Sequence, residues 1–335
     1  MKLPSLTFRF VGMGLRPRLA CELRPSGIVA ACAPESSGLI AATSSASLPH
    51  GAYSPSLRTG SIANPATFVD SLRSALDLIA PRARDLTLIV PDSAARVLLL
   101  DFDSLPSRAS EALPIIIFRL KKLLPFEPEH AAVSYQVMSS ANDQLRVLAA
   151  ALPRELVEEY ESAARDAGYL PGSILPSTLA ALPLLPAHNA SPALLINANP
   201  YAFTSAIVRN GVLELHRTLD FTESLAPLPE DAPIPALPPA ASAPRDVSPE
   251  IAQAVSIAAA YFEDTLGVAP TEIISIGSID AASLTQMIAD GGYSTPPIRD
   301  AVSPSLLLTE AASANTPRSL LAGVAGSLAT GEEPA

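Results

Sequence analysis

The side chains that most often carry catalysis are few in this chain and far apart. The four histidines, His50, His130, His188 and His216, lack the spacing of metal ligands. The segment "GMGLRP" (12–17) supplies two glycines of a dinucleotide fingerprint, but Pro17 stands at the third position and a strand follows where a helix is needed to receive phosphate. No P-loop, nucleophile elbow or CxxC motif is written in the sequence. Paired carboxylates occur at Asp101 with Asp103, at a strand end, and at Glu158 with Glu159, on a helix face; both pairs read as solvated surface charge. One stretch is unusual. In "ALLINANPYAFTSAIVRNGVLELHRTL" (193–219) a buried strand ends on Asn197 and Asn199. Asparagine caps turns and tolerates left-handed backbone, but it cannot take a proton as a general base does.

The elements that must position these residues follow from pattern. "RLACEL" (18–23) and "GIVAACA" (27–33) are apolar runs joined by Arg24, Pro25 and Ser26, a hairpin continued by "GLIAATSSASL". Phe68, Leu72, Leu76 and Ile79 recur at helical spacing behind Asn64 as cap and Pro65 at the first helical position. The runs "LTLIVPD" and "ARVLLLDFD" precede a helical stripe of Leu113, Ile116, Ile117, Leu120 and Leu124, which Pro114 should bend or begin. "HAAVSYQVM" and "QLRVLAAAL" form a second hairpin, and Pro153 opens an amphipathic helix that Gly168 closes. The second half repeats the theme. "ALLINAN" is a strand, the next hairpin turns at Asn210 and Gly211, a helix starts at Ser248, "EIISIGS" is a strand and "AASLTQMIADGG" a helix. Alternating strands, hairpins and crossover helices make the class α/β with two related lobes.

Composition sets the frame. At 335 residues the chain has room for two domains, and 48% apolar against 16% charged residues is the balance of a packed protein. Net charge is −11 and the only lysines are Lys2, Lys121 and Lys122, so no basic stripe exists for nucleic acid. The N-terminal residues lack the unbroken apolar core of a signal peptide, and no apolar run is long enough to span a bilayer. Cys21 and Cys32 are too few for a disulfide framework; free thiols and a cytosolic location are the expectation. The stretch "APLPEDAPIPALPPAASAPRD" (226–246) reads as a stiff solvated linker, and the tail "ATGEEPA" as disordered.

Two segments carry a family resemblance. "LLLDFDSLPSRASEALPIIIFRLKKLLPFEPEHAAVSYQVM" (98–138) resembles the PilM family of type IV pilus assembly proteins in its strand, acidic helix, aliphatic-Pro-Phe end and Tyr-bearing strand. "VLAAALPRELVEEYESAARDAGYLPGSILPSTLAALPLL" (147–185) is similar to the run that follows in that family, with Tyr160 and Gly168 at matching intervals. The resemblance implies a two-lobed actin-like ATPase (RNase H-like) fold, shared with the cell-division protein FtsA, with a small α+β subdomain inserted in the first lobe. It places the first lobe at 1–190 with the insertion at about 92–151, the second at 191–330 with a Pro-rich linker at 226–247, and a disordered tail at 331–335.

In that fold three places hold nucleotide, and each departs from the family's pattern here. Glu22 matches the first acid, but Arg24 occupies its glycine position; Asn197 and Asn199 replace an acid and a glycine; Gly277 is kept while Ser278 replaces a second glycine. These six residues therefore mark a degenerate pocket, without the anion that orders Mg²⁺ or water; no cofactor is the expectation, with ATP and Mg²⁺ as the alternative left open, and no other metal is expected. What the resemblance then implies is a non-enzymatic cytosolic scaffold on the inner-membrane face of a type IV pilus machine. Its partners would be a PilN-like bitopic protein, bound through its N-terminal cytosolic peptide, and the pilus motor ATPases. The implied peptide groove takes in Phe118, Leu120, Leu124, Phe126, Val133 and Tyr135; the competing reading makes these side chains ordinary core. Two other functions stay open: an active actin-like ATPase that recruits Glu22, Asp101 or Asp103 as its acid, and the cytosolic part of a type II secretion platform.

Overall fold

A computed structural model describes residues 17–34, 39–80, 82–141, 144–185, 191–221, 246–308 and 316–329. The expectations for the Pro-rich stretch up to residue 245, for His188, for the tail from residue 330 and for most of "GMGLRP" concern residues outside that set.

The described residues open with an antiparallel meander, β1 (Leu19–Arg24), β2 (Gly27–Cys32) and β3 (Ala42–Ser47), in which Cys21 faces Ala30 and Ile28 faces Ala46. Helix α1 (Pro65–Ile79) begins at Asn64, whose side chain accepts from the Thr67 amide. β4 (Asp85–Val90) returns parallel to β1. The chain then leaves the sheet for β5 (Arg96–Phe102), α2 (Ala109–Leu120), β6 (Ala131–Ala141) and β7 (Gln144–Pro153), which form a separate three-stranded sheet in the order β5-β7-β6. It comes back through α3 (Arg154–Asp166) to β8 (Leu170–Pro176), parallel to β4, and the short helix α4 (Ser177–Ala181). The first sheet is therefore β3-β2-β1-β4-β8, with a subdomain inserted between β4 and α3.

The second half reuses this plan. β9 (Ala193–Ala198), β10 (Ala202–Arg209) and β11 (Val212–Asp220) form a meander whose second turn has Asn210 and Gly211 at φ 50 and 73, the paired positive values of a tight primed turn. After α5 (Ser248–Leu266), closed by left-handed Gly267, come β12 (Ile273–Ser275), α6 (Ala281–Asp290) and β13 (Ile298–Asp300). The sheet order β11-β10-β9-β12-β13 copies the first, with β12 parallel to both neighbours.

Five layers result. α1 and α3 cover one face of the first sheet around Phe68, Leu72, Leu76, Leu156 and Tyr160. α5 and α6 cover the outer face of the second around Ile251, Val255, Phe262, Leu284 and Ile288. Between the sheets lies one continuous core to which both lobes and the insertion contribute: Ala20 and Ile89, Leu195 and Ile274, Val97 and Leu148. Two helices run through it, α4 and the last element, α7 (Ala322–Leu328). All seven residues of α7 are buried. Its Gly323 and Gly326 are a requirement of packing, since a Cβ on Gly326 would collide with the Ala180 carbonyl of α4 and one on Gly323 would lie 2.6 Å from Glu22 Oε2. No helix among the described residues is long and apolar enough to cross a membrane.

Candidate functional site at the lobe junction

Glu22 and Arg24 leave the end of β1 toward the inter-sheet layer, because alternation along a strand sends residues 22 and 24 to the same face. Glu22 is 4% exposed. Its Oε1 accepts from Ser177 Oγ at 2.8 Å, and its Oε2 lies 3.0 Å from Arg24 Nη2, an ion pair without hydrogen-bond alignment. The same Nη2 donates to the Leu320 carbonyl at 2.8 Å, just before α7. Arg24 thus fills the corner where the family resemblance asks for bare backbone.

A second carboxylate sits beside the first. Asp92 opens a single turn of 3₁₀-helix directly after β4 and is 5% exposed. It accepts from the Thr178 amide at 3.0 Å and from Thr178 Oγ1. Across the junction, from β9 in the second lobe, Asn197 Nδ2 donates to Asp92 Oδ2 at 3.0 Å and approaches Thr178 Oγ1 at 3.1 Å and Ser177 Oγ at 3.3 Å. This geometry explains the residue type. A carboxylate at 197 would place two anions within about 3 Å in a dry environment, whereas the amide supplies the donor that Asp92 requires.

His216 of β11 completes the cluster. Its Nε2 is sealed from solvent without a hydrogen-bond partner. Burial pushes its imidazole below the ordinary value, against the pull of the Asp92 charge.

The remaining sequence-marked residues serve backbone geometry. Asn199 Oδ1 accepts from the amides of Tyr201 and Ala202, both at 2.9 Å, and so holds the β9–β10 turn. Gly277 follows β12 where the chain crosses the end of β9, and a Cβ there would strike the Ala198 backbone. Ser278, next to it, is half-buried. The structure therefore joins Glu22, Arg24 and Asn197 in one network and puts Asn199, Gly277 and Ser278 in the adjoining turns. Asp101, considered as a replacement acid, pairs instead with Arg146 at 3.1 Å on the surface, and Asp103 is exposed. Glu159 departs from its reading as surface charge: its two oxygens accept from the Gly60 and Ile62 amides at 2.9 and 2.8 Å and pin the loop before α1. His50 and His130 are exposed, and no cluster of metal-ligating side chains exists among the described residues. Both cysteines are free, and burial raises the Cys21 thiol strongly.

As they stand, these residues do not fit a magnesium-bound triphosphate. Both buried carboxylates face donors from their own chain, and the Arg24 guanidinium lies against Glu22. Sequence reading missed Asp92, Ser177, Thr178 and Gly323. The available signals were an acid immediately past the strand in "LIVPD", the Ser-Thr pair behind Pro176 and the glycines of "AGVAG".

In the inserted subdomain α2 covers one face of its sheet. Leu120 is fully buried, with Ile116, Leu100 and Val147 around it, while Leu124, Val133 and Tyr135 are half-buried against the same cluster. Phe126 is half-buried. Phe118 points outward at 79% exposure, accompanied by Ile115 and Leu123. β6 is an edge strand of this sheet.

No family model matches the sequence, and no curated protein matches it. Solved structures do match in three dimensions. A chain of the "PilM-PilN type IV pilus biogenesis complex" superposes with a TM-score of 0.70 at 18% identity, over 95% of this chain and 100% of that one. The cytoplasmic domain of EpsL, an inner membrane component of the type II secretion system of Vibrio cholerae, matches at a TM-score of 0.44 and 11% identity over 86% and 98% of the two chains. The ethanolamine utilization protein EutJ from Carboxydothermus hydrogenoformans matches at 0.44 and 8% over 95% and 91%. With its duplicated sheets and the insertion between β4 and α3, the chain has the two-lobed actin-like ATPase fold, in the form seen in the PilM–PilN structure.

Proposed function

We propose that this protein is a PilM-like cytoplasmic docking component of a type IV pilus inner-membrane assembly, working without catalysis. One observation carries this reading: the carboxylates at the lobe junction are spent on the chain's own donors, with Asn197 bridging to Asp92 and Arg24 to Glu22. Carboxylates so engaged order neither Mg²⁺ nor attacking water. The fold likeness to a chain of the PilM–PilN complex supports the setting.

In this reading the lobes, 1–190 and 191–330, hold the inserted subdomain as a platform. A PilN-like bitopic partner recruits the protein to the membrane, and its N-terminal cytosolic peptide lies along α2 and the β6 edge. Phe118 supplies the exposed anchor, Leu124, Phe126, Val133 and Tyr135 the half-buried wall, and Leu120 the floor beneath. Pilus motor ATPases are further partners. The test titrates the full-length protein with a labelled peptide copying that partner segment. Saturable binding that Phe118→Asp weakens at least about tenfold supports the groove; equal binding by the variant refutes it.

A second reading, an active ATPase, draws on the convergence of Glu22 and Asp92 at one junction. Steady-state phosphate release with Mg·ATP separates the two: turnover abolished by Asp92→Asn would establish the enzyme.

A further inference from the structure

The junction residues form two strands of contact that meet at one hydroxyl, and the second of them joins elements of different lobes. The first stays within the first lobe, from β1 to the turn just before α7, a helix that packs on β1, β2 and β4: Glu22 Oε2 to Arg24 at 3.0 Å, and Arg24 Nη2 to the Leu320 carbonyl at 2.8 Å. The second runs from β9 to the first lobe: Asn197 to Asp92, Thr178 and Ser177. Ser177 Oγ joins them, donating to Glu22 and accepting from Asn197. Glu22, Asp92, Ser177, Thr178 and Asn197 are all below 9% exposed. Gly323 lets α7 close directly over the Glu22 carboxylate.

We infer that this network is a built-in clamp that fixes the angle between the lobes with no bound ligand, Asn197 being the tie across the lobes, Arg24 the brace that holds α7 and Glu22 in place beneath it, and Ser177 the node. Physical grounds favour a tie over passive filler. The hydrogen bonds of the cluster cross element boundaries, and buried charge-assisted hydrogen bonds are short-ranged and directional, so they specify one arrangement of the bodies they join. An apolar layer alone, here the inter-sheet core, tolerates small sliding of packed helices. Opening the lobes would take the Asn197 donor from buried Asp92 and from the Ser177 and Thr178 hydroxyls, which opposes the motion. The inference concerns lobe geometry and is independent of the pilus reading.

The test uses the full chain without nucleotide or partner. Hydrogen exchange is compared for wild type, Arg24→Ala, Asn197→Ala and, as a surface control, Arg299→Ala, whose pairing with Glu272 is solvent-exposed at the edge strand β13. The clamp requires exchange in α4 and α7 to quicken by about tenfold or more in the first two variants, with β2, β3 and α5 unchanged, together with a larger radius of gyration in solution scattering for Asn197→Ala. The control should leave α4 and α7 as in wild type. Exchange at α4 and α7 that matches wild type, or a uniform rise across every element, would overturn the clamp, since the first removes the tie and the second reduces it to general stability. Should Arg24→Ala not fold, Arg24→Lys keeps the charge on a shorter side chain that draws the donor away from the Nη2 position meeting Glu22 and Leu320 together. The same local quickening is then expected in α7, and its absence counts against the proposal.

Discussion

Asn197 shows how one atom type sets the chemistry of a junction. Its Nδ2 faces the Asp92 carboxylate at 3.0 Å, so Asn197→Asp replaces a donor with a second anion. We expect that variant to lose about 2–3 kcal/mol in urea unfolding at neutral pH and to release no phosphate from Mg·ATP, with Arg24 still in place. The crowded acids would share a proton in the folded state, so their folded affinity for it exceeds the unfolded one. The loss should therefore shrink as pH falls and grow as pH rises. His216 works in the opposite sense. Burial holds its folded-state affinity for a proton below the ordinary 6.5, so the unfolded chain takes up the proton first. The stability this provides is complete above 6.5 and declines as pH drops below it; His216→Gln should flatten that slope in chemical unfolding between pH 6.5 and 5.

At the level of elements, α2 and α7 separate surface from core. Phe118 and Leu120 are two residues apart on α2, yet one is 79% exposed and the other fully buried. Phe118→Asp should change stability by less than about 0.5 kcal/mol, whereas Leu120→Ala should cost about 2–5 kcal/mol; thermal unfolding of both variants checks the contrast. In α7, replacing glycine by alanine in an ordinary helix stabilises by roughly 1 kcal/mol. Gly326→Ala should do the reverse and lower the melting temperature, because the added methyl meets the Ala180 carbonyl of α4. The helix itself would tolerate the change, but its packing would not.

For the whole molecule, the two lobes share one inter-sheet core and one polar junction, so the protein should unfold as a unit rather than lobe by lobe. A ligand that binds the folded state alone raises the melting point, by about 2.7 kcal/mol of added stability at a hundredfold excess over Kd. Millimolar Mg·ATP should produce no such shift in the wild type, and scanning calorimetry should show a single transition. A nucleotide-dependent rise would show that the junction still binds nucleotide, and phosphate release would then decide whether it is turned over.

Much of this was written in local pattern. The meander β1–β3, the Asn64 cap of α1, the Asn210–Gly211 turn, the hairpin of the insertion and the start of α5 at Ser248 follow from periodicity and turn chemistry, which need only near neighbours. β8, with Pro at its second and last positions and Gly172 inside, did not read as a strand, since prolines hide where a parallel edge position excuses their missing donors. α7 was hidden for a related reason: glycine is a poor helix former, and only the close approach of α4 and Glu22 makes it necessary. The sequence alone determined the α/β class, the two related halves and the want of a carboxylate at Asn197. The tertiary structure decided that Asp92, 105 residues away in the chain, is the partner which makes an amide the fitting choice there. Hydrogen bonds between distant segments leave no periodic trace; they exist only once the backbone has brought their ends within 3 Å or so of each other.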